Sequence, residues 1–142
     1  MPRLVETAIH KTLNYFFYYR AGQWAKQNNG DEAIIMNHDD TVSETNTANL
    51  LLIRGTSAIV PVSPAALSGI MQAQIINCLK ARGYEIVYEK TRLDHCLTAD
   101  SVLATNSLMG AVPVLSINGE KTPVSPVLGH ELNREMAVKF DT

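Results

Sequence analysis

Leu50-Leu51-Leu52-Ile53 is a run of four consecutive apolar residues. Neighbouring side chains of a strand point to opposite faces, so a strand of this composition is one buried on both. The run closes a longer stretch, residues 41–53, that begins as a short β-type segment and passes through small polar residues. One acid, Glu44, sits where that first segment gives way to the polar bend. Acids are depleted in strands. A carboxylate at this junction is therefore either a solvated loop residue or a held functional group.

The rest of the chain sets the scale. Its 142 residues are one domain's worth and can bury a core without disulfide staples. The formal net charge of -2 points to neither a nucleic acid nor an anionic membrane as partner. No apolar run reaches membrane-spanning length. The opening Met1-Pro2-Arg3-Leu4-Val5-Glu6 lacks the apolar core of a secretory leader. Cys78 and Cys96 fit a reducing cytoplasm, fall in no metal-binding spacing and read as small core residues. These features give the expectation of a cytoplasmic protein.

Leu13, Phe16, Phe17, Ala21, Trp24 and Ala25 recur at helical spacing, which predicts an amphipathic helix over residues 14–27 with Asn28-Asn29-Gly30 as its stop. A strand over 33–36, a turn over 37–40 and a returning strand over 41–43 form a hairpin. Strands follow at 50–53 and 58–60 around Arg54-Gly55-Thr56, and Pro61 and Pro64 mark a loop. A helix opens at Gly69 and runs to about Arg82, with Gly83 after its end. Residues 84–88 read as a strand with Tyr84, Ile86 and Tyr88 on one face, and 93–97 as a short helical turn. Strands are expected over 101–105 and 112–117, the second broken by Pro113, and Asn118-Gly119 is a hairpin turn. Ser125-Pro126 starts a last helix that ends at Phe140. Hairpins outnumber helices, so the fold class is α+β and not a doubly wound parallel sheet.

Lys11 stands just before the first helix, where a cation opposes the helix dipole. His10 and Lys11 are either solvated surface residues, or Lys11 is a buried amine able to act as a nucleophile.

Five segments bear on that choice. In order they are Lys-Thr-Leu-Asn-Tyr from Lys11, Gly-Asp-Glu-Ala-Ile-Ile from Gly30, Val-Ser-Glu-Thr-Asn-Thr-Ala-Asn-Leu from Val42, Ser-Gly-Ile-Met from Ser68, and Ala-Asp-Ser-Val-Leu-Ala-Thr-Asn-Ser-Leu-Met-Gly-Ala-Val-Pro-Val from Ala99. Each is weak alone, but in this order, over residues 11–140, they resemble the fold-type IV (class IV) aminotransferase family. Within it, Gly69-Ile70-Met71 and Asn106-Ser107-Leu108-Met109 are most similar to the 4-amino-4-deoxychorismate lyases. Transaminase members more often carry Gly-Ile-Thr-Arg at the first of these segments, where Met71-Gln72 follows Ile70 here.

The resemblance implies pyridoxal 5′-phosphate as cofactor and a small-molecule substrate. Lys11 matches the lysine that binds the cofactor and moves the α-proton. Glu44 matches the acid paired with the pyridine nitrogen, and Asn49 either supports Glu44 or serves the fold alone. Gly69, Ile70 and Met71 match the helix N-terminus that holds the phosphate, with Asn106 and Ser107 as the second phosphate-side loop. Tyr15 matches a tyrosine near the cofactor, whereas Tyr18 and Tyr19 read as core and interface residues. The implied architecture is the C-terminal large pseudo-barrel domain over residues 1–142. Family members carry a smaller domain before the lysine segment, and no counterpart is found here. The implied activities are a lyase forming 4-aminobenzoate and pyruvate, an amino-acid transaminase, or a catalytically silent domain. The implied assembly is a homodimer. Phe16, Phe17, Tyr18 and Tyr19 give the first helix more aromatic surface than one apolar stripe needs, which places it at or near the interface.

Overall fold

The computed structural model describes residues 15–140, without the side chains of Pro126 and 138–140. Lys11 therefore lies outside the described residues. The order of elements is α1 (Phe16–Gln27), β1 (Ile34–Met36), β2 (Val42–Thr45), β3 (Asn49–Arg54), β4 (Ser57–Pro61), α2 (Ile70–Ala81), β5 (Glu85–Glu89), α3 (Leu93–Thr98), β6 (Ser101–Asn106), β7 (Gly110–Pro113), β8 (Ser116–Ile117), β9 (Glu120–Lys121) and α4 (Pro126–Phe140). The fold is α+β.

The centre is a five-stranded sheet in the order β5-β4-β3-β6-β7. Strand β3 is its middle, antiparallel to both β4 and β6. The Leu50–Ile53 run is buried on both faces, as its composition requires. Leu51 and Ile53 pack with Ile75, Leu79, Leu128 and Leu132 under α2 and α4. Leu50 and Leu52 pack on the opposite face with Val42, Cys96, Ala99 and Ile117. Each fully buried leucine of this kind stabilises the fold by about 1.5–3 kcal/mol relative to exposure.

Two features depart from the expected hairpins. Strand β5 runs parallel to β4, with Ala58 opposite Ile86 and Val60 opposite Tyr88, so α2 is a crossover helix between parallel strands. The single strand expected over 112–117 is two short ones. Strand β7 stops at Pro113, and β8 resumes at Ser116 to pair with β9. Proline cannot extend the ladder, and β7 is an edge strand where it is tolerated. The turn between β8 and β9 has φ of 51° at Asn118 and 82° at Gly119, the positive pair that a tight hairpin of type I′ needs.

Helix α4 is fastened at both ends of its contact. Near the C-terminus of α2, the Arg82 guanidinium donates to Glu131 at 2.6 Å and through Nε to Glu135 at 2.9 Å. At the sheet edge, Asn133 accepts from the Ala111 backbone N–H at 2.7 Å and donates to the Ala111 carbonyl at 2.9 Å.

Helix α1 turns inward only part of the predicted face. Phe16 is 68% exposed and Trp24 58% exposed, although both belong to the apolar stripe read from the sequence. Of the stripe's described residues only Ala25 is buried, and the half-buried Tyr18 and Gly22 join it on the inward side. Ala25 is buried, and a Cβ on Gly22 would lie 2.9 Å from Asn46 Nδ2. Small residues let this helix lie against the turn after β2.

Candidate functional site

Glu44 is the next-to-last residue of β2 and is 4% exposed, so the solvated-loop alternative does not hold. A buried carboxylate needs donors. The Tyr18 hydroxyl donates to Oε1 at 2.7 Å, and the Leu67 backbone N–H donates to Oε2 at 3.0 Å. Leu67 precedes α2 by three residues, so this acid is tied to the segment that leads into a helix N-terminus.

The turn beyond Glu44 is fixed by its own threonines. Thr45 N–H donates to the Ala48 carbonyl at 2.7 Å, and Thr45 Oγ1 accepts from Ala48 N–H at 2.8 Å. The Thr45 and Thr47 hydroxyls both donate to the Glu32 carboxylate. Asn46 closes the turn against the chain before β1, accepting from Ala33 N–H through Oδ1 at 2.7 Å. The Tyr15 hydroxyl donates to the Asn46 carbonyl. Partial burial, then the Glu32 and Glu44 carboxylates, pushes the Tyr15 phenol above its ordinary range. Tyr15 and Tyr18 stack, with ring centroids 5.3 Å apart and planes 15° from parallel.

The N-terminus of α2 is bare. Gly69 is its N-cap, no side chain caps it, and its first turn holds no acid. Such an end leaves backbone N–H groups without intrahelical partners and favours an anion. Ile70 is 76% exposed there, and Met71 is half-buried against the core below α2. Asn49 approaches closely: its Nδ2 donates to the Leu67 carbonyl at 2.8 Å. A Cβ on Gly69 would fall 1.9 Å from Asn49 Oδ1, so only glycine fits. Asn49 thus acts on Glu44 through Leu67, whose N–H Glu44 accepts, and not by direct contact. Gln72 donates to the Leu50 carbonyl at 3.0 Å and pins the first turn of the helix to β3.

The third component is the end of β6. Thr105 pairs with Asn49 across β3 and β6. Its Oγ1 is the one buried side-chain oxygen without a hydrogen-bond partner among the described residues. By strand alternation it shares the α2 face with Leu103. Asn106 follows and shapes its loop, with Oδ1 accepting from Leu108 N–H at 2.9 Å and Met109 N–H at 2.8 Å. Asn106 Nδ2 donates to the Thr47 carbonyl at 3.3 Å, which links this loop to the turn after Glu44. Ser107 lies at the exposed tip.

Glu44, Asn49, Gly69, Ile70, Met71 and Tyr15 are therefore gathered by one set of contacts, with Asn106 joined through Thr47. Tyr18 is the residue that sequence reasoning assigned to packing and that reaches Glu44 instead. The available signal was its position three residues after Tyr15 on one helix face. Among the described residues, no group of His, Cys, Asp and Glu side chains could hold a metal ion, and no helix is long and apolar enough to cross a membrane.

A family model described as amino-transferase class IV matches residues 3–117. The aminodeoxychorismate lyase of Vibrio harveyi is 27% identical over 112 residues, covering 78% of this chain and 41% of that protein. The D-alanine aminotransferase of Bacillus licheniformis is 26% identical over 111 residues, covering 78% of this chain and 39% of that protein. Among solved structures, the branched-chain amino acid aminotransferase of T.th., complexed with N-(5′-phosphopyridoxyl)-L-glutamate, superposes with a TM-score of 0.87 at 25% identity. That match covers 98% of this chain and 47% of the other. The chain spans less than half the length of each of these relatives.

Proposed function

The chain belongs to the class IV aminotransferase family, and on that footing we propose that it is the cofactor-bearing large domain of a pyridoxal 5′-phosphate enzyme. The reaction we assign is the cleavage of 4-amino-4-deoxychorismate to 4-aminobenzoate and pyruvate. The observation that carries the cofactor reading is the buried Glu44 carboxylate, hydrogen-bonded to the segment that runs into the bare N-terminus of α2.

The described residues fit this cofactor. A phosphate needs an anion site, and the uncapped, acid-free start of α2 is one. The unpartnered Thr105 Oγ1 lies under the same end of the sheet. A protonated ring nitrogen needs a buried carboxylate held by other donors, and Glu44 is that group. When bound, pyridoxal phosphate supplies an electron sink for the carbanion formed at the substrate's α-carbon.

The chain's own residues then divide the work. Glu44 accepts the ring N–H and keeps that proton in place. The backbone N–H groups of Ile70 and Met71 bind the phosphate, and Gly69 allows Asn49 to brace their approach. Asn106 orders the loop that carries Ser107, which would hold the phosphate from a second side. Tyr15, anchored to Asn46, would border the ring. Lys11 holds the cofactor and moves a proton at Nζ. We further propose a homodimer with α1 at or near the interface, since Phe16, Tyr19 and Trp24 are exposed.

The lyase assignment rests on the similarity to the Vibrio harveyi lyase and on Met71-Gln72 after Ile70. A transaminase is the second reading, favoured by the likeness to the D-alanine and branched-chain enzymes. The test has two parts. Borohydride reduction of the chain with pyridoxal phosphate, followed by peptide mapping, should label Lys11. Label on Lys26, Lys80 or Lys90 instead would sink the assignment. Pyruvate release from 4-amino-4-deoxychorismate should then exceed amino transfer from an amino acid to 2-oxoglutarate, and the reverse order selects the transaminase.

A further inference from the structure

Resting on that reading of the cofactor site, we propose that Tyr18 is a positioning residue for Glu44, orienting its carboxylate and keeping it ionised toward the ring nitrogen. Tyr18 donates to Oε1 while Leu67 N–H donates to Oε2. A donor on each oxygen fixes the carboxylate plane. An ionised carboxylate has about four acceptor sites, and these two donors take one on each oxygen.

The phenol is itself held. Its ring stacks on Tyr15, and Phe17 meets it edge-on with centroids 5.6 Å apart and planes at 89°. Tyr15 is anchored in turn to the Asn46 carbonyl. A donor this constrained loses little freedom on making its bond.

The chemical effect has a definite sign. Hydrogen bonds to a carboxylate favour its ionised form. Glu44 and a ring nitrogen would share one proton. Without the phenol, Glu44 binds that proton more strongly and the ring loses it. With the phenol, the proton stays on the ring, where it is needed.

The test uses the full chain loaded with pyridoxal phosphate carrying 15N in the ring. In the parent, the ring 15N signal should lie in the protonated range. Tyr18→Phe keeps the ring stack and removes only the donor. It should move the signal toward the unprotonated range and weaken cofactor binding about tenfold, as expected for loss of a hydrogen bond to a charged group. Replacing Tyr18 by 3-fluorotyrosine, a stronger donor, should hold the parent signal or push it further toward protonation. Circular dichroism establishes that each variant is folded, and if Tyr18→Phe is not, the fluorotyrosine protein decides by cofactor affinity, which should rise above the parent's if the phenol donates to Glu44 and which overturns the proposal if it stays unchanged. An unchanged signal and affinity in folded Tyr18→Phe overturns the proposal. So does tighter binding, which would mean that the phenol occupies the place of the ring. A parent chain that takes up no cofactor in equilibrium dialysis overturns the functional reading itself and this proposal with it. A parent that binds beside an indifferent variant overturns this proposal alone.

Discussion

Asn49 and Gly69 are in such close approach that a single added carbon on Gly69 would fall 1.9 Å from Asn49 Oδ1. The amide cannot yield without releasing the Leu67 carbonyl, to which its Nδ2 donates at 2.8 Å. Gly69→Ala should therefore destabilise the chain by about 1–3 kcal/mol, the cost of a buried polar group losing its partner. Urea denaturation checks the value. Asn49→Ala removes the clash, so adding Gly69→Ala to it should cost clearly less than Gly69→Ala alone. Additive costs would mean that the two residues do not act on each other.

The second prediction concerns Glu44. Glu44→Gln should leave borohydride labelling of Lys11 in place, since attachment does not need the ring proton. Turnover should fall roughly a hundredfold or more, about 2.7 kcal/mol of transition-state stabilisation, because an amide cannot hold that proton as a carboxylate does. Parent-like turnover would remove Glu44 from the role assigned to it.

How much of this was legible beforehand depends on the range of each interaction. The double-faced burial of Leu50–Ile53 and the turn at Asn118-Gly119 follow from local composition, and both are found. The parallel pairing of β4 with β5 was not legible, because it joins segments separated by a whole helix. Glu44 stood out as an acid at the junction of a predicted strand and a polar bend, and the structure extends the strand over it. Its partner Leu67 did not stand out, because the donor is a backbone N–H in a loop 23 residues away. Helix α1 misled for another reason. Periodicity of large apolar residues marks the inner face only when the helix packs through large residues. This one packs through Gly22 and Ala25 and turns Phe16 and Trp24 outward.

That outward face gives the third prediction. Exposed Phe16, Tyr19 and Trp24 make a patch of the kind that seldom stays bare. Sedimentation equilibrium at micromolar concentration should give a dimer, and the triple replacement Phe16→Ser, Tyr19→Ser, Trp24→Ser should shift it toward monomer. A parent that remains monomeric at the highest attainable concentration would refute a role for this face in self-association.

The two cysteines supply a fourth. Cys78 and Cys96 are both buried. Burial, followed by the nearby Asp94, pushes the Cys96 thiol up to about 11. Since the thiolate is the reactive form, Cys96 should resist a disulfide-exchange reagent at neutral pH in the folded chain and react at once in denaturant. Rapid modification of native Cys96 would show that its burial is not maintained in solution.

Asp39 provides a pH-dependent case. Its hydrogen bonds with Lys90 first, and then with the Thr41 hydroxyl, hold its carboxyl at about 2, below the ordinary 3.8. A folded-state value below the unfolded one contributes stability that is present above about pH 4 and lost as the pH falls through about 2. Asp39→Asn should thus lower the melting temperature slightly at neutral pH, as befits an exposed pair, and converge on the parent in strong acid. A constant difference at every pH would assign the effect to something other than this charge.

The double hydrogen bond from Asn133 to Ala111 has a meaning for the chain's behaviour in a crowd. Strand β7 is an outer member of the central sheet, and an open edge of this kind is a template on which a foreign strand can dock. The Asn133 amide occupies both the donor and the acceptor of Ala111, as a neighbouring strand would. The β7 edge is in this way closed at Ala111 by a side chain from the chain's own last helix. Loss of that amide would at once loosen the hold of α4 and leave a margin on which a foreign strand can add.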